Sequence, residues 1–163
     1  MPQRIVTIGA HAAAVDAASA ARKADRTAEI TLLTTEKHAG YSRCGIPFVI
    51  GGHIPNFTDL IVYPSSYYRM MKLDLRTETT ATNIDTKAKT VETQDKTGKT
   101  ETLPYDSLII ATGANAFIPP IKGREKQGLL TVRTIEDGEK IDQAIKGGAK
   151  TAVVMGAGLI GLE

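Results

Sequence analysis

The first 35 residues alternate between short apolar runs and a long stretch of small residues. Residues 4–8 and 29–33 are five-residue runs of the kind found in buried strands, and Gly9 ends the first of them. Between them lies an alanine-rich stretch, from about residue 11 to 24, that predicts a helix with a small-residue face. Strand, glycine turn, helix and strand form a βαβ unit, whose right-handed crossover makes the two strands parallel neighbours. The pattern therefore predicts the beginning of a doubly wound α/β fold.

Short alternating segments follow in the middle of the chain. Residues 79–84, 90–94 and 100–103 alternate apolar and polar side chains, which is typical of half-buried strands, and residues 95–98 supply a turn between the last two. They predict an antiparallel β meander inserted in the parallel sheet. The apolar run 108–111 predicts a return to the buried sheet.

Two helices are predicted on either side of this meander. The first lies near residues 65–71. The second is expected over residues 135–145, because Thr134 and Asp137 have the spacing of a capping box and glycines follow the segment.

A complete glycine fingerprint follows a fourth apolar run. Residues 151–155 predict a strand, and Gly156, Gly158 and Gly161 then have the G-x-G-x-x-G spacing. These glycines permit a tight turn, close approach of backbone to a pyrophosphate and packing of the next helix on the strand. Because the chain ends at residue 163, with no return strand and no ribose-binding acid, we expect it to be the N-terminal part of a longer protein.

The turn after the first strand is a degenerate version of the same fingerprint. Gly9 is kept, Ala10 follows it, His11 stands at the second glycine position and Ala14 at the third. Taken alone this is a weak signal, since His11 could be a solvent-facing residue at a helix N-terminus. The order of the two starts strengthens it: two strand, glycine and helix starts about 147 residues apart suggest one dinucleotide site inside which another is inserted.

Cys44 is the single cysteine of the chain. Ser42 is a good N-cap and Pro47 is acceptable in a first helical turn, so a helix is expected from about Cys44 to residues 51–52. A thiol at that helix end, with Arg43 beside it, would be favoured as the reactive thiolate. The alternative is a buried cysteine that acts as a small hydrophobic residue.

Composition narrows the class of protein. The chain is 42% hydrophobic and 23% charged, with a net charge of +2, which is ordinary for one globular domain and gives no basic run for nucleic acid. No apolar stretch approaches about 18 residues, so a cytoplasmic protein without a membrane partner is expected. A single cysteine excludes an internal disulfide and a cysteine-rich zinc site, and no metal is expected.

Several motifs in this order resemble one known family. They are the Gly9 turn and residues 41–48 (YSRCGIPF), 60–63 (LIVY), 108–114 (LIIATGA) and 156–163 (GAGLIGLE). Together they are similar to the single-cysteine FAD-dependent pyridine nucleotide-disulfide oxidoreductases, the group of coenzyme A disulfide reductase, NADH oxidase and NADH peroxidase. The similarity covers the whole chain.

The resemblance implies the cofactors FAD and NAD(P)H and a Rossmann-like fold. Electrons would pass from NAD(P)H through the flavin to Cys44 and on to a disulfide such as coenzyme A disulfide. One alternative is an NADH oxidase or peroxidase that reduces oxygen or peroxide. A non-enzymatic redox sensor that binds nucleotide is another.

The resemblance also implies roles for individual residues. The Gly9 turn would hold the FAD pyrophosphate, the backbone of Ala111, Thr112 and Gly113 would pass close to the cofactor, and Ala81 would contact the adenine through its main chain. The family's ribose-binding acid is replaced by Thr34.

Two further differences from the family concern nucleotide and substrate contacts. Glu36, helped by Thr34 and beside Lys37, is expected to replace the missing acid; alternatively, Glu36 and Lys37 are only solvated loop charges. Gly40 and Arg43 stand where a serine and an asparagine usually contact coenzyme A.

The expected domains follow from these assignments. Residues 1–150 would be the N-terminal part of an incomplete FAD-binding domain, and residues 151–163 the first strand and glycine turn of a truncated NAD(P)H-binding domain. The whole protein would form a homodimer and act on a small-molecule disulfide, peroxide or oxygen, whereas the fragment alone would be inactive.

Overall fold

The computed structural model describes all 163 residues. Its strands are β1 Arg4–Ile8, β2 Glu29–Leu33, β3 Leu73–Arg76, β4 Thr79–Asp85, β5 Thr90–Asp95, β6 Thr100–Pro104 and β7 Ser107–Ile110. Its α-helices are α1 Ala12–Ala24, α2 Ile46–Ile50, α3 Ser65–Met70, α4 Ile135–Lys146 and α5 Leu159–Leu162. The chain divides into two compact units, the first comprising residues 1–41 and 61–113 and the second residues 42–60 and 114–163.

The first unit is built on a four-stranded parallel sheet. The strand order is β3-β2-β1-β7, and β1 pairs in parallel with β2 on one side and with β7 on the other. Strands β4, β5 and β6 form a separate antiparallel sheet. The predicted α/β fold with a parallel sheet and an antiparallel meander is confirmed. The meander, however, is not hydrogen-bonded into the parallel sheet.

Strand β3 was not predicted from the sequence. Its four residues are Leu-Asp-Leu-Arg, too short an alternation to be distinguished from a loop, and it pairs with β2 at the edge of the sheet. The edge position explains the two charged side chains.

Successive residues of β1 pack into two different clusters, because side chains alternate across a strand. Ile5 lies in a cluster with the small residues of α1, among them Ala14 and Ala18, which are fully buried. Val6 lies in a second cluster that includes Val91 of the meander. The sheet is therefore covered on both faces, and the alanines let α1 approach it closely.

An ion pair joins the beginnings of β1 and β7. The guanidinium of Arg4 donates to both carboxylate oxygens of Asp106, at 3.2 and 3.0 Å, and the Arg4 backbone N–H donates to the same carboxylate at 2.8 Å. The backbone N–H of Asp106 donates back to the Arg4 carbonyl at 2.8 Å. These bonds fix the register in which the two strands start.

A tight contact in the first unit depends on the absence of a side chain at Gly40. Gly40 has φ +60°, and a Cβ there would lie 2.5 Å from the hydroxyl of Tyr68. The Tyr68 side chain is buried, its hydroxyl has no hydrogen-bond partner, and burial raises its pKa to about 12. The Tyr68 hydroxyl therefore occupies the space that a side chain at residue 40 would need.

The second unit contains α4, which begins with the predicted capping box. Thr134 Oγ1 accepts from the Asp137 backbone N–H at 3.2 Å, and Asp137 Oδ2 accepts from the Thr134 N–H at 3.2 Å. Gly138 lies against Phe57 and Ile46, where a Cβ would be too close to both side chains. The helix therefore begins where the sequence predicted it.

Two local predictions in the second unit were wrong. Residues 151–155 form no strand, because no neighbouring strand pairs with them, and their apolar side chains are exposed. Cys44 lies in a 3₁₀ turn, Arg43–Gly45, that precedes α2, and the Ser42 side chain makes no capping bond. Pro47 does occupy the first turn of α2, as expected.

No helix of the structure is both long and apolar enough to cross a membrane.

Replacement of Gly40 by alanine is expected to lower the free energy of unfolding by about 2–4 kcal/mol, since it combines a left-handed backbone with a clash against Tyr68. Gly52→Ala is the matched control, because Gly52 has φ +75° but nothing within 4 Å of an added Cβ. The double variant Gly40→Ala with Tyr68→Phe should recover part of the lost stability, because it lacks the hydroxyl that meets the added Cβ. Urea unfolding measures all four proteins, and equal losses for Gly40→Ala and Gly52→Ala would contradict the proposed clash.

The ion pair predicts a specific pH dependence. The hydrogen bond from Arg4 lowers the pKa of Asp106 from its ordinary 3.8 to about 2. A carboxylate with a lowered pKa stabilises the fold above about pH 3.8, and that contribution is lost as the pH falls through about 2. The Asp106 carboxyl should therefore titrate near pH 2 by NMR. Its pKa should be higher in Arg4→Gln, where the guanidinium bonds are lost and the bond from the residue 4 backbone N–H remains. An ordinary titration in the wild type would show that the pair does not form in solution.

Candidate functional site

Gly9 lies where the carboxyl ends of three parallel strands meet. Its N–H donates to the Leu33 carbonyl at the end of β2, at 2.8 Å, and Ala111 donates to the Ile8 carbonyl at 2.8 Å. Gly9 has φ +124°, and an added Cβ would fall on the carbonyl oxygen of Ala111. Glycine is required here by the protein's own backbone, at the edge of the sheet where ligands of doubly wound folds bind.

The first turn of α1 is open to an anion. No side chain caps it, and it contains no acidic residue, although His11 holds the N-cap position in an extended conformation. Ala10 and Ala14 are fully buried, and Ala14 takes the space that the fingerprint reserves for its third glycine. The backbone N–H groups and the positive end of a 13-residue helix favour a phosphate at this position.

Glu36 is held by two side chains in the loop after β2. Tyr41 Oη donates to Glu36 Oε2 at 2.5 Å, and His11 Nε2 lies 3.2 Å from Glu36 Oε1. The Glu36 side chain is only 18% exposed. The alternative that Glu36 is merely a solvated loop charge does not fit this geometry, whereas Lys37 is exposed.

Thr34 helps to shape the same loop. It is buried at the end of β2, and its Oγ1 accepts from the Glu36 backbone N–H at 3.2 Å. Its carbonyl accepts from the Thr79 N–H at 2.8 Å, and its own N–H donates to the Arg76 carbonyl at 3.0 Å. Thr34 therefore orients the backbone that carries Glu36.

His11 does not face solvent, contrary to one expectation from the sequence. Its side chain is 20% exposed, and its ring meets that of Tyr41 edge-on, with centroids 4.7 Å apart. The Nδ1 atom is buried and has no hydrogen-bond partner. Tyr41 was missed as a site residue, since its position beside the cysteine motif gave no signal of its contact with Glu36.

The remaining predicted residues of the first unit lie in two places. Ala111 is half-buried against Gly9, and Thr112 and Gly113 follow it as exposed residues. Ala81 is half-buried in β4, beside an irregularity where the register with β5 shifts, and packs on the second cluster.

Cys44 and Arg43 belong to the second unit. Cys44 is exposed, which contradicts the alternative of a buried core cysteine. Arg43 Nη1 donates to the Arg133 carbonyl at 2.7 Å, in the segment just before α4. Behind Cys44, Gly45 is buried against Leu60, so the turn is packed on one side while the thiol stays accessible.

The second fingerprint forms a compact turn in the second unit. Gly156 has φ +116°, Gly158 is the extended N-cap of α5, and an added Cβ at Gly161 would fall on the Gly156 carbonyl oxygen. This turn requires glycine at its first and third fingerprint positions.

The structure thus groups the predicted residues into two sets, one in each unit. The first set fits the AMP half of a dinucleotide, because it combines a strand-end glycine without room for Cβ, an uncapped helix N-terminus and an oriented carboxylate. The second set contains the accessible thiol and the glycine turn of the second fingerprint.

Comparisons with known proteins identify the same family. The chain is 44% identical over 162 residues to an NADH oxidase from Methanocaldococcus jannaschii, covering 98% of this chain and 36% of that protein. It is 30% identical over 164 residues to a coenzyme A disulfide reductase from Staphylococcus haemolyticus, covering 99% and 37%. The structure matches that of an NAD-dependent persulfide reductase from A. fulgidus with a TM-score of 0.93 and 40% identity, covering 98% of this chain and 31% of that one.

The chain therefore spans about a third of the length of these relatives. A model of the family described as pyridine nucleotide-disulphide oxidoreductase matches residues 3–163. The resemblance inferred from the motifs is confirmed, and the family is enzymatic and uses FAD with nicotinamide nucleotides, as predicted. The chain belongs to the pyridine nucleotide-disulphide oxidoreductase family.

Proposed function

We propose that the whole protein is an FAD- and NAD(P)H-dependent oxidoreductase in which Cys44 reduces a small-molecule disulfide, with coenzyme A disulfide as the first acceptor to test. The observation that carries the proposal is the exposure of the single cysteine on a packed helical turn. A thiol in this position can meet a soluble disulfide, and these 163 residues contain no second cysteine with which it could pair.

The residues that would hold FAD are those of the first unit. The Gly9–Ala10 turn and the first turn of α1 would bind the pyrophosphate, Glu36 and Thr34 the ribose, and the backbone of residues 111–113 would lie along the cofactor. Ala81 would contact the adenine through its main chain. Gly156, Gly158 and Gly161 would hold the pyrophosphate of NAD(P)H.

Cys44 itself performs the sulfur chemistry. Its thiolate attacks one sulfur of the acceptor disulfide, a new S–S bond joins Cys44 to that half, and the other half leaves as a thiolate that takes a proton from water. Bound FAD would supply the two electrons, taken from NAD(P)H, that break this mixed disulfide. One proton completes the second product thiol, and Cys44 returns as the thiolate.

The identity of the acceptor is the least constrained part of the proposal. Gly40 has no side chain, and the Arg43 guanidinium is bonded to the Arg133 carbonyl, so neither offers the serine and asparagine contacts usual for coenzyme A. A persulfide is a related acceptor, in line with the name of the A. fulgidus protein. The 44% identical relative named NADH oxidase supports oxygen as a second candidate acceptor.

Replacement of Cys44 by serine separates these acceptors. In the whole protein, Cys44→Ser should retain FAD but lower disulfide or persulfide turnover by about 10³-fold or more, because a hydroxyl cannot form the mixed disulfide. Oxidation of NADH by oxygen should persist if that reaction needs no thiol. Ser42→Ala, at a neighbouring exposed residue, is the control. Full disulfide turnover in Cys44→Ser would remove the cysteine from the mechanism.

Replacement of Gly9 by alanine tests the nucleotide site. The added Cβ would displace the Ala111 carbonyl and the turn, so FAD retention should fall at least about tenfold, and the melting temperature should fall as well. Gly98→Ala is the control in the same unit, since Gly98 has φ +87° with open space around it. Flavin absorbance per mole of purified protein measures retention. Normal flavin content in Gly9→Ala would place the cofactor elsewhere.

A further inference from the structure

We propose that His11 is a positioning residue that fixes the Glu36 carboxylate for the ribose hydroxyls of the bound nucleotide. This inference rests on the proposed function, because it assigns a role to the same site. The imidazole stands where the fingerprint would have its second glycine, a place that small residues fill without cost.

The first argument is the geometry of the carboxylate. Tyr41 holds Oε2 of Glu36, and His11 holds Oε1. A single hydrogen bond would let the carboxylate rotate about its last torsion, whereas bonds on both oxygens fix its plane. An ionised carboxylate has about four acceptor sites, more than these two bonds use. A ribose diol offers two hydroxyl donors, the kind of group that an ionised carboxylate binds.

The second argument is the cost of keeping a histidine at this place. A carboxylate oxygen only accepts, so Nε2 carries a proton, and Nδ1 is a second polar atom of the ring that needs its own hydrogen-bond partner. That Nδ1 is buried and has no partner, which disfavours the folded state. His11 also leaves α1 without a side-chain cap. Local stability therefore does not favour histidine here, and its bond to Glu36 is the contact that compensates.

The third argument is the chain of contacts around the ring. The rings of His11 and Tyr41 meet edge to face, with their centroids 4.7 Å apart. Both side chains also hydrogen-bond to the carboxylate of Glu36. Thr34 further orients Glu36, because the Glu36 backbone N–H donates to Thr34 Oγ1. The side chains of His11, Tyr41 and Glu36 thus form one rigid hydrogen-bond acceptor beside the N-terminus of α1.

Binding of ADP and of 2′,3′-dideoxy-ADP to protein freed of flavin tests the proposal. The wild type should bind ADP about tenfold more tightly than 2′,3′-dideoxy-ADP, which lacks the hydroxyls that would bond Glu36. A hydrogen bond to a charged group is worth about that factor or more. In His11→Ala this preference should fall to about twofold, with the dideoxy affinity unchanged. His11→Gln, whose amide can donate to Glu36, should restore most of the preference.

The control is His53→Ala, which replaces an exposed histidine of the second unit and should keep the full preference. A full preference in His11→Ala would overturn the positioning role. Equal losses of affinity for both nucleotides would show that His11 only maintains the fold. If the wild type binds ADP and 2′,3′-dideoxy-ADP equally tightly, Glu36 and His11 have no role at the ribose. The proposed pyrophosphate site at the N-terminus of α1 would be unaffected by that result. If it binds neither nucleotide, the proposed cofactor site itself is wrong.

Discussion

The close approach of Gly9 to Ala111 is the constraint on which the first unit depends. Gly9 must leave β1 with a positive φ, while its N–H satisfies the last carbonyl of β2 and its α-carbon faces the backbone that follows β7. No residue with a side chain satisfies all three conditions. The turn brings the N-terminus of α1 over the carboxyl edge of the sheet. The condition that closes the fold therefore also places the backbone to which we assign the pyrophosphate.

The alanine content of α1 is a second consequence of this tight turn. A helix that begins immediately after Gly9 lies close to the sheet, and Ala14 and Ala18 are fully buried there. Larger side chains at these two positions would push the helix away from β1 and move its first turn from the strand ends. The small-residue face of the helix thus serves its packing on the sheet and, through that packing, the placement of the proposed nucleotide site.

Sequence reasoning identified the features that depend on local pattern. The βαβ unit, the meander, the capping box at Thr134 and the family all follow from periodicity or motif order. It missed β3, whose four residues carry too little pattern, and it predicted a strand at 151–155 that lacks a pairing partner. It also missed Tyr41, because the contact of its hydroxyl with Glu36 exists only after the loop has folded. Side-chain networks of this kind have no signature in spacing.

Positions 11 and 40 show why differences from a family pattern need to be judged in three dimensions. At position 11 the chain adds a side chain where the fingerprint has none, and Glu36 and Tyr41 receive it. At position 40, where the family resemblance implies a serine, the chain has no side chain, and the Tyr68 hydroxyl fills the space. In both places a neighbour compensates for the change in volume, so the backbone of the site keeps its course. What differs at these two positions is the set of polar atoms presented: an imidazole is added at position 11, and the Tyr68 hydroxyl stands in the place of a side chain at position 40.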